Sequence, residues 1–449
     1  MKFPAYPKYK PSGVEWLADV PEHWNVKRLK YLADISTSGV WGDDPPIDGE
    51  GYPVATTANI SPLGEIDVAG MHTRLLSKEE IRKGLCQLGD IIVVKSSGSA
   101  TSVISGKCAL VRPEHGKICF SNFTLRVRPA KGRLGPSFAW SFLSSGIVRA
   151  QVRLMVSTTT YPNLQVPEYI SFFVPQPATA DQESIAAFLE RETGRLDTLI
   201  AKKRQLIEKL NEKRTALISR TVTRGLNPNA KLKPSGIEWL ADIPAHWNAK
   251  RFGYLFRFYS GGTPSTAENS LWDGDIPWVS SKDMKSTVIN DTQDHISEEA
   301  VRVSATCKLP SGTLLMVNRS GILRHSLPVA VTTREMAINQ DIRGCVPLGS
   351  VNATFVAYLL QGNEGPLLTL WRQQGATVES LNFESVKLTR ILLPPAPEQA
   401  AIVEFLDAET AKIDRLVEKV KAAIEKLLEY RTALITAAVT GKIDVRNAS

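Results

Sequence analysis

Two stretches of the chain carry a long apolar ladder. From Asp181 to about Val222, the positions Ile185, Leu189, Leu196, Leu199, Leu206, Leu210 and Leu217 fall on alternating steps of four and three residues, with Glu192, Lys203 and Lys213 in the polar slots. The pattern returns 217 residues later, from about Glu398 to Val439, as Ile402, Leu406, Glu409, Ile413, Leu416, Val420, Ala423, Leu427, Tyr430 and Leu434. A seam sustained at about 3.5 residues per step belongs to a coiled coil. Neither stretch contains Gly or Pro apart from Gly194, so each predicts one unbroken helix. At 1.5 Å per residue, each helix runs on the order of 60 Å. The competing reading is a pair of separate amphipathic helices, each packed on its own domain; the slot-for-slot match of the two seams favours the coiled coil.

The rest of the chain repeats as well. Pro11–Arg28 reads PSGVEWLADVPEHWNVKR and Pro234–Arg251 reads PSGIEWLADIPAHWNAKR, differing only at Val14, Val20, Glu22 and Val26. A match of this length marks an internal duplication. At an offset of 223 or 224 residues, the strand-like segments Tyr52–Ile60 and Ile276–Met284 correspond, as do Gly89–Gly98 and Gly312–Gly321. From Asn122/Asn339 and Arg126/Arg343 onward the offset is 217, through Phe138/Phe355, Leu164/Leu381 and the shared RTALI at Arg214–Ile218 and Arg431–Ile435. Between the Trp-rich opening and the long helix, each copy holds a mixed β/α module. Ile91–Val94 and Leu314–Val317 read as buried strands, and Phe138–Met155 and Phe355–Gln374 as helices. Pro175-Gln176-Pro177 and Pro394-Pro395-Ala396-Pro397 close the modules, and the polar stretch Arg220–Pro234, with Gly225 and Pro228, is the linker. The fold class is therefore α+β, internally duplicated. Its expected segments are a first module at 1–175 with opening segment 11–28, a helix at 176–225, a second module at 226–393 with opening segment 234–251, and a helix at 394–449. Openings and helices agree between the copies while the modules share only scattered residues, as expected of one scaffold presenting two different recognition surfaces.

Composition narrows the class. A chain of 449 residues is too long for one core and suggests two to four domains. No apolar run approaches the roughly 20 residues that cross a bilayer, and the opening MKFPAYPKYKPSG has no apolar signal core, so a cytoplasmic protein without membrane contact is expected. Cys86, Cys108, Cys119, Cys307 and Cys345 form no CxxC pair and no metal-ligand spacing, which fits reduced thiols. A net charge of +8 and a pI near 9.1 are compatible with a polyanionic partner.

Catalytic signatures are sparse. Asp44-Pro45-Pro46-Ile47 superficially matches the DPPY loop of adenine methyltransferases, but that loop needs an aromatic fourth residue to stack on a flipped base, and Ile47 cannot. A Pro-rich surface loop is the simpler meaning. The chain has no GxxxxGK[ST] for ATP. His23 and His246 sit beside tryptophans, where packing or capping suits them better than metal ligation. Acidic residues concentrate on the helices as solvated flanks and ion pairs.

Several motifs together resemble a known family. The opening PSGxEWLxxxPxHW, Gly261–Ser265 (GGTPS), Gly375–Asn382 (GATVESLN), Leu393–Asp407 (LPPAPEQAAIVEFLD) and the RTALI helix ends are similar to the specificity subunit of type I restriction–modification systems. The resemblance covers essentially the whole chain. The first copy departs from it, with Ser38–Asp44 (SGVWGDD) in place of GGTPS and Ser157–Leu164 (STTTYPNL) in place of GATVESLN. The resemblance implies two DNA target recognition domains separated by two long antiparallel coiled-coil helices. It further implies partners in double-stranded DNA, two methyltransferase subunits and restriction (translocase) subunits. It implies no catalysis and no cofactor on this chain, with methyl donor and ATP on the partners.

On that footing, candidate DNA contacts are the polar turns after the buried strands. Lys95, Ser96 and Ser97 stand in one module, and Asn318, Arg319 and Ser320, with Arg324 beyond, in the other. Arg and Lys pair with guanine edges and Asn with adenine; an ordinary exposed turn is the alternative. Thr158, Thr159, Thr160 and Tyr161 face Gly375, Ala376, Thr377 and Val378 as candidate phosphate contacts, although Tyr161 equally suits a core. Arg153, Arg372, Gln373 and Gln374 end the preceding helices, and Thr56, Thr57, Ser280, Ser281 and Lys282 follow short strands. The tryptophans Trp16, Trp24, Trp239 and Trp247 serve either partner docking or internal packing. A tandem-repeat scaffold that binds proteins without reading DNA remains the rival reading.

Overall fold

The computed structural model describes residues 3–45, 51–96, 103–156, 163–373 and 378–447. The chain divides into two compact units, one comprising Met1–Lys203 with Lys421–Ser449 and the other Arg204–Val420. Each unit combines one module with the first half of one long helix and the second half of the other.

In the first unit the all-apolar Ile91–Val94 run forms a fully buried strand. It pairs antiparallel with Thr124–Pro129 on one side and Cys108–Leu110 on the other, while Ala33–Ser36 pairs with the outer edge of Thr124–Pro129. The opening strand Asn25–Arg28 forms a separate ribbon with Phe173–Gln176, the strand that leads into the first long helix. The second unit repeats this plan. Leu314–Val317 is buried between Ile342–Pro347 and Val329–Thr332, Phe256–Ser260 lies outside Ile342–Pro347, and Asn248–Arg251 pairs with Arg390–Leu393. The segments after Tyr52–Ala55 and Ile276–Val279 leave the extended conformation, the first as a 3-10 turn at Thr57–Asn59 and the second as a turn.

The expected helices Phe138–Met155 and Phe355–Gln374 are each two helices, Pro136–Leu143 with Gly146–Met155 and Ala353–Gly362 with Glu364–Trp371. Polar side chains break them by taking helix carbonyls: Ser145 Oγ donates to Phe142 O at 2.6 Å, and Asn363 Nδ2 to Leu359 O at 2.8 Å. The long helices run from Thr179 to Arg224 and from Ala396 to Val439, so the linker begins at Gly225 rather than Arg220.

Within each unit the helix halves pack against each other and against the module. Ile185, Phe188 and Leu189 share a core with Leu434, Ile435, Ala438 and Val439; Ile218 and Val222 share one with Ile402 and Leu406. Asp197 accepts from Arg431 Nε and Nη2 at 2.9 and 3.1 Å, and Asp414 accepts from Arg214 at 3.0 and 3.4 Å. These are one duplicated ion pair, since Asp197/Asp414 and Arg214/Arg431 both stand 217 residues apart. The seam expectation needs correction: Leu199 and Leu206 are 42% exposed and Leu416 is 45% exposed. Ile200 and Val417 are buried in their stead, and Ile207 packs with Leu210, Ile413 and Val417. The buried line follows the 3.6-residue period of a helix, which drifts about 20° per heptad from a strict 3.5-residue repeat.

Candidate nucleic-acid interface

Each buried central strand ends in a polar turn that the backbone pins from two sides. In the first unit Lys95 N and Ser96 N donate to Phe123 O at 3.0 and 3.3 Å, Leu164 N donates to Lys95 O at 2.8 Å, and Ser96 bridges to Asn163. In the second, Asn318 N and Arg319 N donate to Asp341 O at 2.7 and 3.2 Å, Leu381 N donates to Asn318 O at 2.9 Å, and Arg319 bridges to Ser380. Thus the fold brings together, in both units, the strand-end turn and the segment that follows the paired short helices. These were separate candidates in the sequence.

The side chains on the pinned turns differ. Lys95 Nζ donates to Thr37 O at 3.1 Å, and partial burial pulls its pKa below the ordinary lysine value. Its counterpart Asn318 has a buried Oδ1 without a hydrogen-bond partner among the described residues. Ser96 is half-buried; its counterpart Arg319 is exposed. Ser320 Oγ accepts from Ile322 N and caps the Gly321–Arg324 turn. Arg324 Nε donates to Glu379 Oε1 at 3.2 Å, while Arg372 places Nε 3.6 Å from Glu379 Oε2 and donates Nη2 to Leu323 O at 2.6 Å. Of the three arginines on this edge, Glu379 therefore holds two. Arg319 has no side-chain hydrogen bond or ion pair among the described residues. Glu379 is the member of this cluster that sequence reading missed, because a lone acid in a loop carries no motif.

Gln373 joins the same edge, its N donating to Ser380 O at 2.9 Å and its Oε1 accepting from Ser380 Oγ at 3.2 Å. Arg153 is exposed on the last turn of Gly146–Met155. Ser97, Thr158, Thr159, Thr160, Tyr161, Gln374 and Thr377 lie outside the described residues, as do Gly375, Ala376, Pro46 and Ile47. The hydroxyls after the shorter strands are engaged locally. Thr56 N and Oγ1 donate to Asn59 Oδ1 at 2.9 and 2.8 Å, and Ser280 N and Oγ donate to Asp283 Oδ2, both at 2.9 Å. Thr57 and Ser281 are half-buried beside them, and Lys282 Nζ pairs with Asp294 Oδ2 at 2.6 Å.

The opening segments resolve their two readings. Trp24 and Trp247 are fully buried, edge-on to Phe138 and Phe355 at 6.5 Å, so they pack the modules and offer no docking surface. Trp16 and Trp239 are half-buried against the same cores. His23 Nε2 lies 3.0 Å from Asp181 Oδ2 and His246 Nε2 lies 2.8 Å from Glu398 Oε2, tying each opening to the first turn of a long helix. Among the described residues no three His, Cys, Asp or Glu side chains cluster as metal ligands. Burial pushes the Cys119 thiol up to about 11 and Cys108 up to about 12. No described helix is long and apolar enough to cross a membrane.

Residues 244–426 match the type I restriction modification DNA specificity domain. The chain is 28% identical over 258 residues to the EcoR124I/EcoR124II specificity subunit of Escherichia coli, covering 57% of each protein. It is 28% identical over 191 residues to the MjaIX specificity subunit of Methanocaldococcus jannaschii, covering 42% of each. The matched region thus spans about half the length of these curated relatives. A putative MjaX specificity subunit from the same organism is 22% identical over 444 residues, 96% of each chain. The fold is similar to that of a chain solved in work on complex assembly and conformational transition of the type I R-M system, with a TM-score of 0.69 at 16% identity, over 94% of this chain and 98% of that one. Residues 244–426 thus carry the match to the specificity domain, and the chain as a whole, with its duplicated modules and helices, is similar to the type I restriction–modification specificity subunits.

Proposed function

We propose that this chain is the DNA-reading subunit of a type I restriction–modification complex. Its two target recognition domains, 1–175 and 226–393, read the two halves of an asymmetric bipartite site. The helical segments 176–225 and 394–449 pair as an antiparallel coiled coil, set the gap between half-sites and help dock two methyltransferase subunits, which restriction (translocase) subunits join in the cytoplasm. The chain performs no chemistry; methyl donor and ATP act on the partners.

The observation that carries this reading is the pinned turn, held alike in both units yet bearing different side chains. Base reading needs that combination: rigid placement of the backbone, with donors and acceptors free to vary. Arg319 is exposed and suits bidentate pairing with guanine O6 and N7, whereas the buried Oδ1 of Asn318 is not presented for the two-point pairing with adenine. Lys95, Ser96 and Arg153 in the first unit, and Arg324, Arg372 and Gln373 in the second, complete the candidate surface, with hydroxyls and arginines serving phosphates. The test is to replace residues 30–170 with the matching module of a relative and to sequence the methylome. One half-site should change and the other persist; a change in both halves would defeat the modular reading. Affinity of the assembled complex for DNA should also fall steeply with salt as bound counterions are released, whereas a protein-only scaffold would show no DNA binding to titrate.

A further inference from the structure

Residues retained in both copies include buried and exposed ones. Trp24/Trp247 and Pro21/Pro244 are buried, and packing explains them. Asn25/Asn248, Lys27/Lys250, Arg28/Arg251 and Tyr31/Tyr254 are retained and exposed. The two tyrosines are 61% and 72% exposed, large apolar rings left in solvent at the same place twice.

These residues form one strip in each unit. Asn25–Arg28 pairs only with Phe173–Gln176, and Asn248–Arg251 only with Arg390–Leu393, so each strip is the free edge of a two-stranded ribbon among the described residues. The Arg28 guanidinium lies over the Phe173 ring at 4.9 Å and Lys30 Nζ over Tyr31 at 5.3 Å. Exposed Arg390 adds charge beside Arg251 in the second unit. Of the carboxylates near the strips, Asp34 is engaged by Arg126 and Glu384 by Lys387. Each strip is therefore cationic with an aromatic at its end.

The strips lie away from the candidate reading edges. In the first unit Ser36 pairs with Arg126, which pairs with Ile92, and Thr37 O receives Lys95; Ala33, next to the strip, pairs with Pro129 at the other end of the ladder. At about 3.3 Å per residue, the four residues from Thr37 to Ala33 span roughly 13 Å, with Tyr31 beyond. In the second unit Ser260 pairs with Arg343 near Val317, whereas Phe256, next to Tyr254, pairs with Pro347.

Lysine and arginine on a free edge also discourage strand-to-strand aggregation, but that role does not call for an exposed tyrosine in both copies. A face kept alike while the modules diverged meets the same partner twice. We propose that Lys27, Arg28 and Tyr31, and separately Lys250, Arg251 and Tyr254, form two equivalent docking faces for a protein partner that presents carboxylates. Resting on the proposed function, that partner is the methyltransferase subunit, one copy on each face. Tyrosine and arginine are the residue types that most often dominate interface energy, and cationic strips steer and orient an acidic partner.

The experiment reconstitutes the full-length chain with its methyltransferase and counts bound subunits by native mass spectrometry, with affinities from titration. Variants are Lys27→Glu with Arg28→Glu and Tyr31→Ala, the matching Lys250→Glu, Arg251→Glu and Tyr254→Ala, and both sets together. A milder pair, Lys27→Gln with Arg28→Gln and Lys250→Gln with Arg251→Gln, covers the case in which charge reversal unfolds a ribbon; far-UV circular dichroism reports folding. Each single-face set should lose one methyltransferase subunit, weakening that site by at least about 30-fold, and the combined set should lose both. Two subunits bound normally by the combined set would overturn the proposal. So would intact assembly with weaker, less salt-dependent DNA binding, which would make the strips phosphate contacts. Failure of the unaltered chain to bind any methyltransferase would instead overturn the parent reading of function, and the docking faces with it.

Discussion

The central sheets of the two modules share a ladder but not a charge pattern. In the first, Asp90 is almost wholly buried at the start of the central strand and accepts from Arg128 Nε and Nη2, both at 2.7 Å, with Arg126 Nε 4.0 Å away. In the second, the matching positions are Thr313, buried and donating Oγ1 to Pro310 O at 2.7 Å, and Val346. The rung of Arg126 opposite Ile92 is taken by Gly344 opposite Leu315. One sheet is thus cross-linked by a buried ionic cluster where the other relies on a hydroxyl and apolar packing, yet both deliver the same pinned turn. The frame tolerates different chemistry inside as long as the strand ends in the same place, which frees the turn residues to differ.

The largest effects should come from breaking what the two frames share. Trp24→Ala or Trp247→Ala removes a fully buried indole and should cost roughly 3–5 kcal/mol. Hydrogen exchange should show loss of protection concentrated in the unit carrying the substitution. Equal loss in both units would mean that the modules do not hold their cores independently.

Next comes the ionic cluster that only the first sheet has. Asp90→Thr strands Arg128 and leaves Arg126 with Asp34 alone, and should cost about 3 kcal/mol by urea unfolding. Adding Arg128→Val reproduces the pair found in the second sheet and should recover more than half of that loss, because a buried ion pair is often replaceable by well-packed neutral groups. If the double variant were less stable than the single, the two sheets would not be interchangeable solutions to the same frame.

Smaller in energy, but sharper in meaning, is the candidate reading edge. Arg319→Ala should leave stability within about 0.5 kcal/mol, since the side chain is exposed. It should cost about 1–3 kcal/mol of discrimination at one base pair, in the second half-site only. Competition binding with single-base variants of the site measures this directly. Uniform weakening across all sequences would reassign Arg319 to the phosphate backbone.

Much of this frame was legible in the sequence. The strands Ile91–Val94 and Leu314–Val317 announce themselves as apolar runs, and the long helices follow from their ladders. Register was less legible. Identity pairs Arg126 with Arg343, but the ladders place Arg126 opposite Ile92 and Arg343 opposite Met316, one rung apart once the central strands are matched. A one-residue slip moves a side chain to the other face of a sheet, and indeed Arg126 lies over Phe120 while Arg343 lies over Phe383. Matching letters could not reveal this, because register depends on which face each strand buries. The edge candidates were legible only as separate pieces, since the bridges Ser96–Asn163 and Arg319–Ser380 join segments more than sixty residues apart in sequence.

The smallest expected effect tests the helix seam. A strict seven-residue repeat places Leu199 inside, whereas the helix buries Ile200 and leaves Leu199 42% exposed. Leu199→Gln should therefore change the stability of the isolated chain by no more than about 0.5 kcal/mol, while Ile200→Ala should cost about 2–4 kcal/mol through the cavity it leaves. The same contrast should hold for Leu416→Gln against Val417→Ala, the matching pair 217 residues on, where Leu416 is 45% exposed and Val417 is buried. Chemical denaturation of the four variants decides between the two seams. Large losses at Leu199 and Leu416 would restore the strict heptad. Neutral stability combined with weaker assembly in the complex would mean that these exposed leucines face a partner, which gives a second apolar line along the helices a use that packing within the chain does not require.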